Sequence, residues 1–190
     1  MTISKKIEVE NLDHLGIIAG IIDELRIPEI VNERLGIEAQ EKINNGQIVK
    51  AIILNGLGFV SRPLYLFPQF FRNKTERGFR FLKDPLFFAD SVFLKSPERI
   101  ETMAMLMGLC LLVYNLGQRE LRSALKQCNT GIKNQLGKLT NTPTLRWIFQ
   151  CFQGIHFVRL NGEEEVVNLT DDRWWILSFF PDACQSYYLL

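Results

Sequence analysis

Glu76 and Lys83 lie seven residues apart in the stretch Thr75-Glu76-Arg77-Gly78-Phe79-Arg80-Phe81-Leu82-Lys83-Asp84-Pro85. On a helix that spacing is two turns along one face, so the pair can present a carboxylate and a cation to one phosphate. That is half a site. A carboxylate holds a divalent ion only with other carboxylates converging on it from rigid elements. Only Asp13 and Asp23 precede Glu76. Asp23 sits among Leu15, Ile18, Ala19, Ile22 and Leu25, whose three-and-four spacing predicts an amphipathic helix with Asp13 as its N-cap. No β-rich run occurs between residues 9 and 75 that could aim a further carboxylate. Glu76 is therefore not expected to bind a metal alone, and no cofactor is expected.

Other reactive groupings are absent from the pattern. Cys110, Cys128, Cys151 and Cys184 show no short metal-ligand spacing, and His14 and His156 lie far apart, which argues against zinc. No Ser/His/Asp or Cys/His nucleophile stands out. Gly56 and Gly58 lack the following Lys-Ser or Lys-Thr of a phosphate loop. Glu163, Glu164 and Glu165 are consecutive, so on a strand they point to opposite faces and read as a solvated acidic edge.

The stretch around Glu76 resembles the glutamate helix of bacterial insertion-sequence DDE transposases, whose signature is Tyr, two residues, Arg, three residues, Glu, six residues, Lys. Arg72, Glu76 and Lys83 fall at those spacings, with Gln69 in the tyrosine place. The resemblance continues on both sides. Asp13-His14-Leu15-Gly16-Ile17-Ile18-Ala19-Gly20 and the run from Gly46 to Phe59 resemble the N-terminal domain of that group, and Asp84 to Ile100 resembles its C-terminal part. The resemblance implies a helical N-terminal domain over 1–73 fused near Lys74 to a C-terminal remnant of the catalytic region over 75–190. The ribonuclease-H-like core, with two aspartates and the Mg2+ ions of the intact family, would then have been lost by internal deletion. Glu76 and Lys83 would be vestiges, Glu76 once a metal ligand.

The remaining pattern predicts a mostly α chain, with minor β structure in one hairpin. Pro28 opens a second helix that Gly36 closes. Asn44 or Asn45 caps a third, apolar one through Ile48, Val49, Ile52, Ile53 and Leu57. A three-helix unit of this kind can read DNA, pack or dimerise, and Lys50 alone in the third helix offers itself to a phosphate. An aromatic segment follows, with Tyr65, Phe67, Phe70 and Phe71. Ser96-Pro97 starts a long helix with an apolar face at Ile100, Met103, Met107, Cys110, Leu111 and Tyr114, extended by Leu121 and Leu125. Part of that face is expected to be exposed, because the sheet it would cover is missing. Beyond Leu116, Arg119, Arg122 and Lys126 form one basic stripe, and Lys133, Lys138 and Arg146 add charge. The stripe is either a solvated face or a set of weak DNA phosphate contacts. Asn161-Gly162 predicts a hairpin turn. Thr170 begins a last helix whose Trp174 and Trp175 serve either the core or base stacking.

The sequence has 190 residues, 47 % hydrophobic, with net charge +1, enough for one domain or two small ones. Charge is segregated: Lys plus Arg against Asp plus Glu count 9 and 9 over residues 1–74, 11 and 6 over 75–146, and 2 and 6 over 147–190. The basic middle suits nucleic acid, because screening confines each charge to about 10 Å. The cysteine spacing favours a reducing compartment. The start lacks the apolar stretch of a signal peptide, and the run Met103–Tyr114 is shorter than the roughly 20 residues of a membrane span. A cytoplasmic location follows, with no membrane partner. These features together suggest a transposase fragment, catalytically inactive, with weakly bound DNA and a second copy or an intact transposase as partners. A DNA-binding or subunit-binding inhibitor of the intact enzyme and an unrelated helical interaction protein are the competing readings.

Overall fold

The computed structural model describes residues 7–37, 43–58, 96–160 and 162–189. Glu76, Lys83, Arg72 and the aromatic segment 64–71 lie outside the described residues. Chain order runs β1 (Ile7–Asn11), α1 (Leu15–Glu24), α2 (Ile27–Leu35), α3 (Asn45–Leu57), α4 (Pro97–Gln127), β2 (Ile132–Lys133) and β3 (Leu139–Thr140). It continues with α5 (Leu145–Cys151), β4 (His156–Leu160), β5 (Glu163–Val167), α6 (Asp171–Leu177) and α7 (Asp182–Gln185). The described chain is mostly α with minor antiparallel β, as the pattern predicts.

Local chemistry sets the element ends. Asn44 accepts from the Gln47 amide at 2.9 Å while the Gln47 side chain accepts from the Asn44 amide at 3.0 Å, a reciprocal cap on α3. Pro28 occupies the first turn of α2 and Gly36 ends it at φ 77°. Thr144 and Thr170 cap α5 and α6 by accepting from the amides of Trp147 and Arg173. Gly162, at φ 92°, turns β4 into β5 and sets Leu160 opposite Glu163.

Three features depart from the expectations. The single hairpin is the larger part of a three-stranded antiparallel sheet, because β1 pairs with β4 from Ile7 opposite Leu160 to Asn11 opposite His156; β2 and β3 form a second, two-stranded pair. Asp13 does not cap α1. It adopts φ 46°, its carboxylate Oδ1 accepts from the Gly154 amide at 2.7 Å, and His14 takes the cap position with its ring turned away from the helix's own amides, towards the Leu57 carbonyl. The long helix α4 buries Leu121 and Leu125 and packs Cys110 and Tyr114 on the core as expected, but further towards its start it turns Leu106 and Val113 inward, whereas Met107 and Leu111 are exposed. Its rotation is fixed by Gly117, where a Cβ would strike the Ile21 side chain of α1.

The core is organised around α1, in which every residue from Gly16 to Ile22 is buried. One side of α1 meets α3 and α4. The other receives the C-terminal residues: a Cβ on Gly16 would come within 2.6 Å of the Tyr188 ring, and one on Gly20 would strike the Cys184 backbone. Tyr188 Oη then donates to the Asp13 carbonyl at 2.7 Å, and Cys184 Sγ lies 3.4 Å from the Ile17 carbonyl. A single cluster of buried side chains runs from Ile17 on α1 through Leu121, Phe149 and Ile176 to Tyr188.

The two kinds of helical glycine predict opposite mutational signs. Gly20→Ala should lower stability by about 1–3 kcal/mol, since the facing atoms are backbone and cannot yield. Gly108, in α4, has no described atom within 4 Å of an added Cβ, and Gly108→Ala should raise the stability of the monomer, measured at high dilution, by about 0.5–1 kcal/mol. Chemical denaturation of the two variants checks both signs.

Candidate nucleic-acid interface

The basic stripe lies on the C-terminal half of α4, whose inner side is anchored by Leu121 and Leu125, both fully buried. Arg119 and Lys126 are exposed. Arg122 is half-buried and its Nε donates to the Pro143 carbonyl at 2.9 Å, so it holds the start of α5 against α4. Two more bonds fix the same junction: Gln118 accepts from the Leu145 amide at 3.0 Å, and Tyr114 Oη accepts from the Arg146 amide at 3.2 Å. Trp147 Nε1 donates to the Lys133 carbonyl at 2.9 Å and thereby ties the β2–β3 pair to α5. Asn134 Oδ1 accepts from the amides of Leu136 and Lys138, tightening the turn between those strands. Lys133, Lys138 and Arg146 are exposed around this junction. Of the stripe expected from the sequence, Arg119 and Lys126 are exposed, while Arg122 is largely a structural residue.

Glu120 interrupts the positive surface. Burial pushes its carboxyl above the usual range, the nearby Glu24 pushes the same way, and Arg119 opposes them.

Lys50, the one cation of α3 that could have met a phosphate, is already engaged. Its Nζ lies 2.5 Å from Asp23 Oδ1 and 2.7 Å from Tyr187 Oη, and Tyr187 Oη donates to Asp23 Oδ2 at 2.6 Å. Burial pulls the ammonium downward, but the bonds to Asp23 and Tyr187 outweigh it and hold Lys50 above its ordinary value. Burial, reinforced by Asp23, raises Tyr187 too. His14 is equally structural: it stacks on Phe149 at 4.2 Å between centroids, with Nε2 3.1 Å from the Leu57 carbonyl, and burial lowers its pKa.

Asp13 and Asp23 do not fit the Mg2+ pair that the resemblance implies. One is buried and bonded to the Gly154 amide; the other is paired with Lys50 and Tyr187. Among the described residues no three His, Cys, Asp or Glu side chains converge on a point. The vestigial Glu76 and Lys83 fall outside those residues. Trp174 and Trp175 are 36 % and 42 % exposed, because α6 buries Ile176 and Leu177 instead; Trp175 packs edge-on against Phe179 at 4.9 Å.

Two structural residues were illegible as such in the sequence. Arg173 spreads its guanidinium over three carbonyls, those of Cys151 at 2.8 Å, Asn168 at 2.5 Å and Gln153 at 2.6 Å. Tyr187 completes the Asp23–Lys50 pair. Tyr187 has no local signal, since both partners are remote in sequence, and of the three carbonyls around Arg173 only that of Asn168 is near in sequence.

Residues 7–81 match the family model described as a domain of unknown function, DUF4277, a domain known in transposase-like proteins. No curated protein and no solved structure matches the chain. No helix of the described residues is long and apolar enough to cross a membrane.

The Lys50 network makes a prediction with a definite pH window. Because the folded-state pKa of Lys50 is raised, its stabilisation is fully present below the ordinary lysine value of 10.5 and disappears as pH rises through the folded value. Lys50→Met should cost about 1–3 kcal/mol at neutral pH. That difference from wild type should shrink in urea titrations carried out above the ordinary lysine pKa.

Proposed function

We propose that this chain derives from an insertion-sequence transposase and binds DNA weakly through phosphate contacts, without performing strand cleavage or transfer. The observation that carries the second half is the employment of Asp13 and Asp23. They are the only aspartates ahead of Glu76 in the sequence, and both are committed to holding the fold. A two-metal centre needs its carboxylates aimed together at the ions. Descent is supported by the match over residues 7–81 and by the resemblance of the Glu76 region and of Asp84 to Ile100. A mobile-element origin makes DNA the natural ligand, and Arg119, Lys126 and Lys133 supply exposed cations in the most basic part of the sequence. Such cations position a protein on DNA without reading sequence.

The purified protein should neither nick nor join DNA in Mg2+ or Mn2+. Metal-dependent nicking that disappears in Glu76→Gln would overturn this part of the reading.

Binding should be salt-sensitive and indifferent to sequence. Reversing Lys126 and Lys133 to Glu should flatten the slope of log affinity against log salt by about 0.9 for each duplex phosphate that is no longer neutralised. An unchanged slope would leave these lysines as a solvated face. Arg122→Ala should instead lower stability, because the Pro143 carbonyl would be left without its donor, more than it changes the salt slope.

A further inference from the structure

The side of α4 turned away from the core carries a stripe that is apolar at Met105, Leu111 and Leu112. At 100° per residue these three, Glu101, Gly108 and Arg119 fall within roughly 60° of a common line, as does the exposed polar Asn115. Met105 is 58 % exposed, Leu111 62 % and Leu112 45 %, and Glu101, Gly108 and Arg119 are exposed as well. The opposite side of the same helix already supplies the core through Leu106, Val113 and Leu121, so the stripe is apolar surface beyond what the fold uses among the described residues. Contiguous apolar surface of this kind marks an interface.

The order of residues along the stripe selects the occupant. Acid stands at the N-terminal end, base at the C-terminal end, and Glu101 and Arg119 are equidistant from Cys110. A second α4 laid antiparallel about the level of Cys110 sets Glu101 of each copy against Arg119 of the other, and Gly108 against Leu112. A parallel arrangement would oppose Glu101 to Glu101 and Arg119 to Arg119. The antiparallel one also aligns the helix dipoles favourably, and its two-fold axis closes the assembly at two copies. Gly108 fits the same picture. A mid-helix glycine weakens a helix, and no described atom requires one here, whereas a second helix crossing at close range would. We propose that α4 is the dimerisation helix of this protein, pairing antiparallel with α4 of a second copy through the stripe between Glu101 and Arg119. The paired span ends near Ser123; it takes Arg119 from the candidate DNA contacts but leaves Lys126 and Lys133 outside it, so those two lysines test DNA binding separately from pairing.

Sedimentation equilibrium of the full chain without DNA tests it. The expected result is a concentration-dependent dimer. Glu101→Arg and Arg119→Glu should each weaken it by about tenfold or more, since each sets like charges together, and the double variant should restore it. Gly108→Leu should abolish the dimer while leaving a cooperative thermal transition, because a Cβ added there has no described atom within 4 Å in the monomer. A monomer at every concentration would overturn the proposal, as would occupation of the stripe by residues 59–95 of the same chain, seen as protection of α4 in that monomer. A dimer insensitive to Gly108→Leu, or single charge reversals that the double does not rescue, would also overturn it. Reversal of Lys126 and Lys133 should change the DNA salt slope and leave dimerisation unaffected, which separates failure of one reading from failure of the other.

Discussion

The architecture depends on a close approach between two chain segments at opposite ends of the sequence. Gly16 and Gly20 present bare backbone on one side of α1, and residues 183–188 lie directly on it. Any larger residue at Gly20 would meet Cys184 main chain rather than a side chain able to move. Tyr188 fills the space above Gly16, packs edge-on against Phe152 at 5.7 Å between centroids, and delivers its hydroxyl to the Asp13 carbonyl. An aromatic ring buried with its polar tip satisfied contributes both area and direction. Burial pushes the thiol of Cys184 up to about 12 and the Tyr188 hydroxyl upward as well, so both are neutral packing groups at physiological pH.

Polar links repeat the same long-range stitching. Asp13 fastens the start of α1 to Gly154, and Asn11 and His156 bond across the first sheet at 3.0 Å. Asp23, Lys50 and Tyr187 join α1, α3 and the C-terminal segment. These groups are partly buried, and each has a specific partner, which is the condition under which buried charge is tolerated. Arg159, by contrast, bridges Glu8 and Glu164 at the surface of the sheet, where solvent leaves such pairs little energetic weight. The acidic edge at Glu163–Glu165 is therefore partly neutralised by an arginine on the neighbouring strand.

What could be read from sequence was what local chemistry decides. Asn44 with Gln47, Pro28 with Gly36, Ser96-Pro97, Thr170 and the turn at Gly162 all act within a few residues, and each marks its element where expected. β1 was illegible because Ile7-Glu8-Val9-Glu10-Asn11 is a short alternation whose partner, β4, is remote in sequence. The face of α4 was legible at Tyr114, Leu121 and Leu125 and misplaced at Met107 and Leu111, which satisfy helical spacing as well as Leu106 and Val113 do; the close fit of Gly117 against Ile21, which favours the latter, is a tertiary contact. Asp13 looked like a cap because aspartate before an apolar helix usually is one. Its competing acceptor role toward Gly154 is set by tertiary structure. In the candidate interface the exposed Arg119 and Lys126 were readable from spacing, whereas the diversion of Arg122 to Pro143 was not.

The groove on α1 also has a history during synthesis. Ile17, Ile18, Ile21 and Ile22 are made early, yet the residues that cover Gly16 and Gly20 are made some 165 to 175 positions later, the separations of the Cys184–Ile17 and Tyr188–Asp13 pairs. Pairs so distant in sequence cannot guide early collapse. Until they exist, a nascent chain carries an isoleucine-rich helix with one flank unsealed, the kind of surface that chaperones hold. The close fit that fixes the finished fold is the same feature that postpones it.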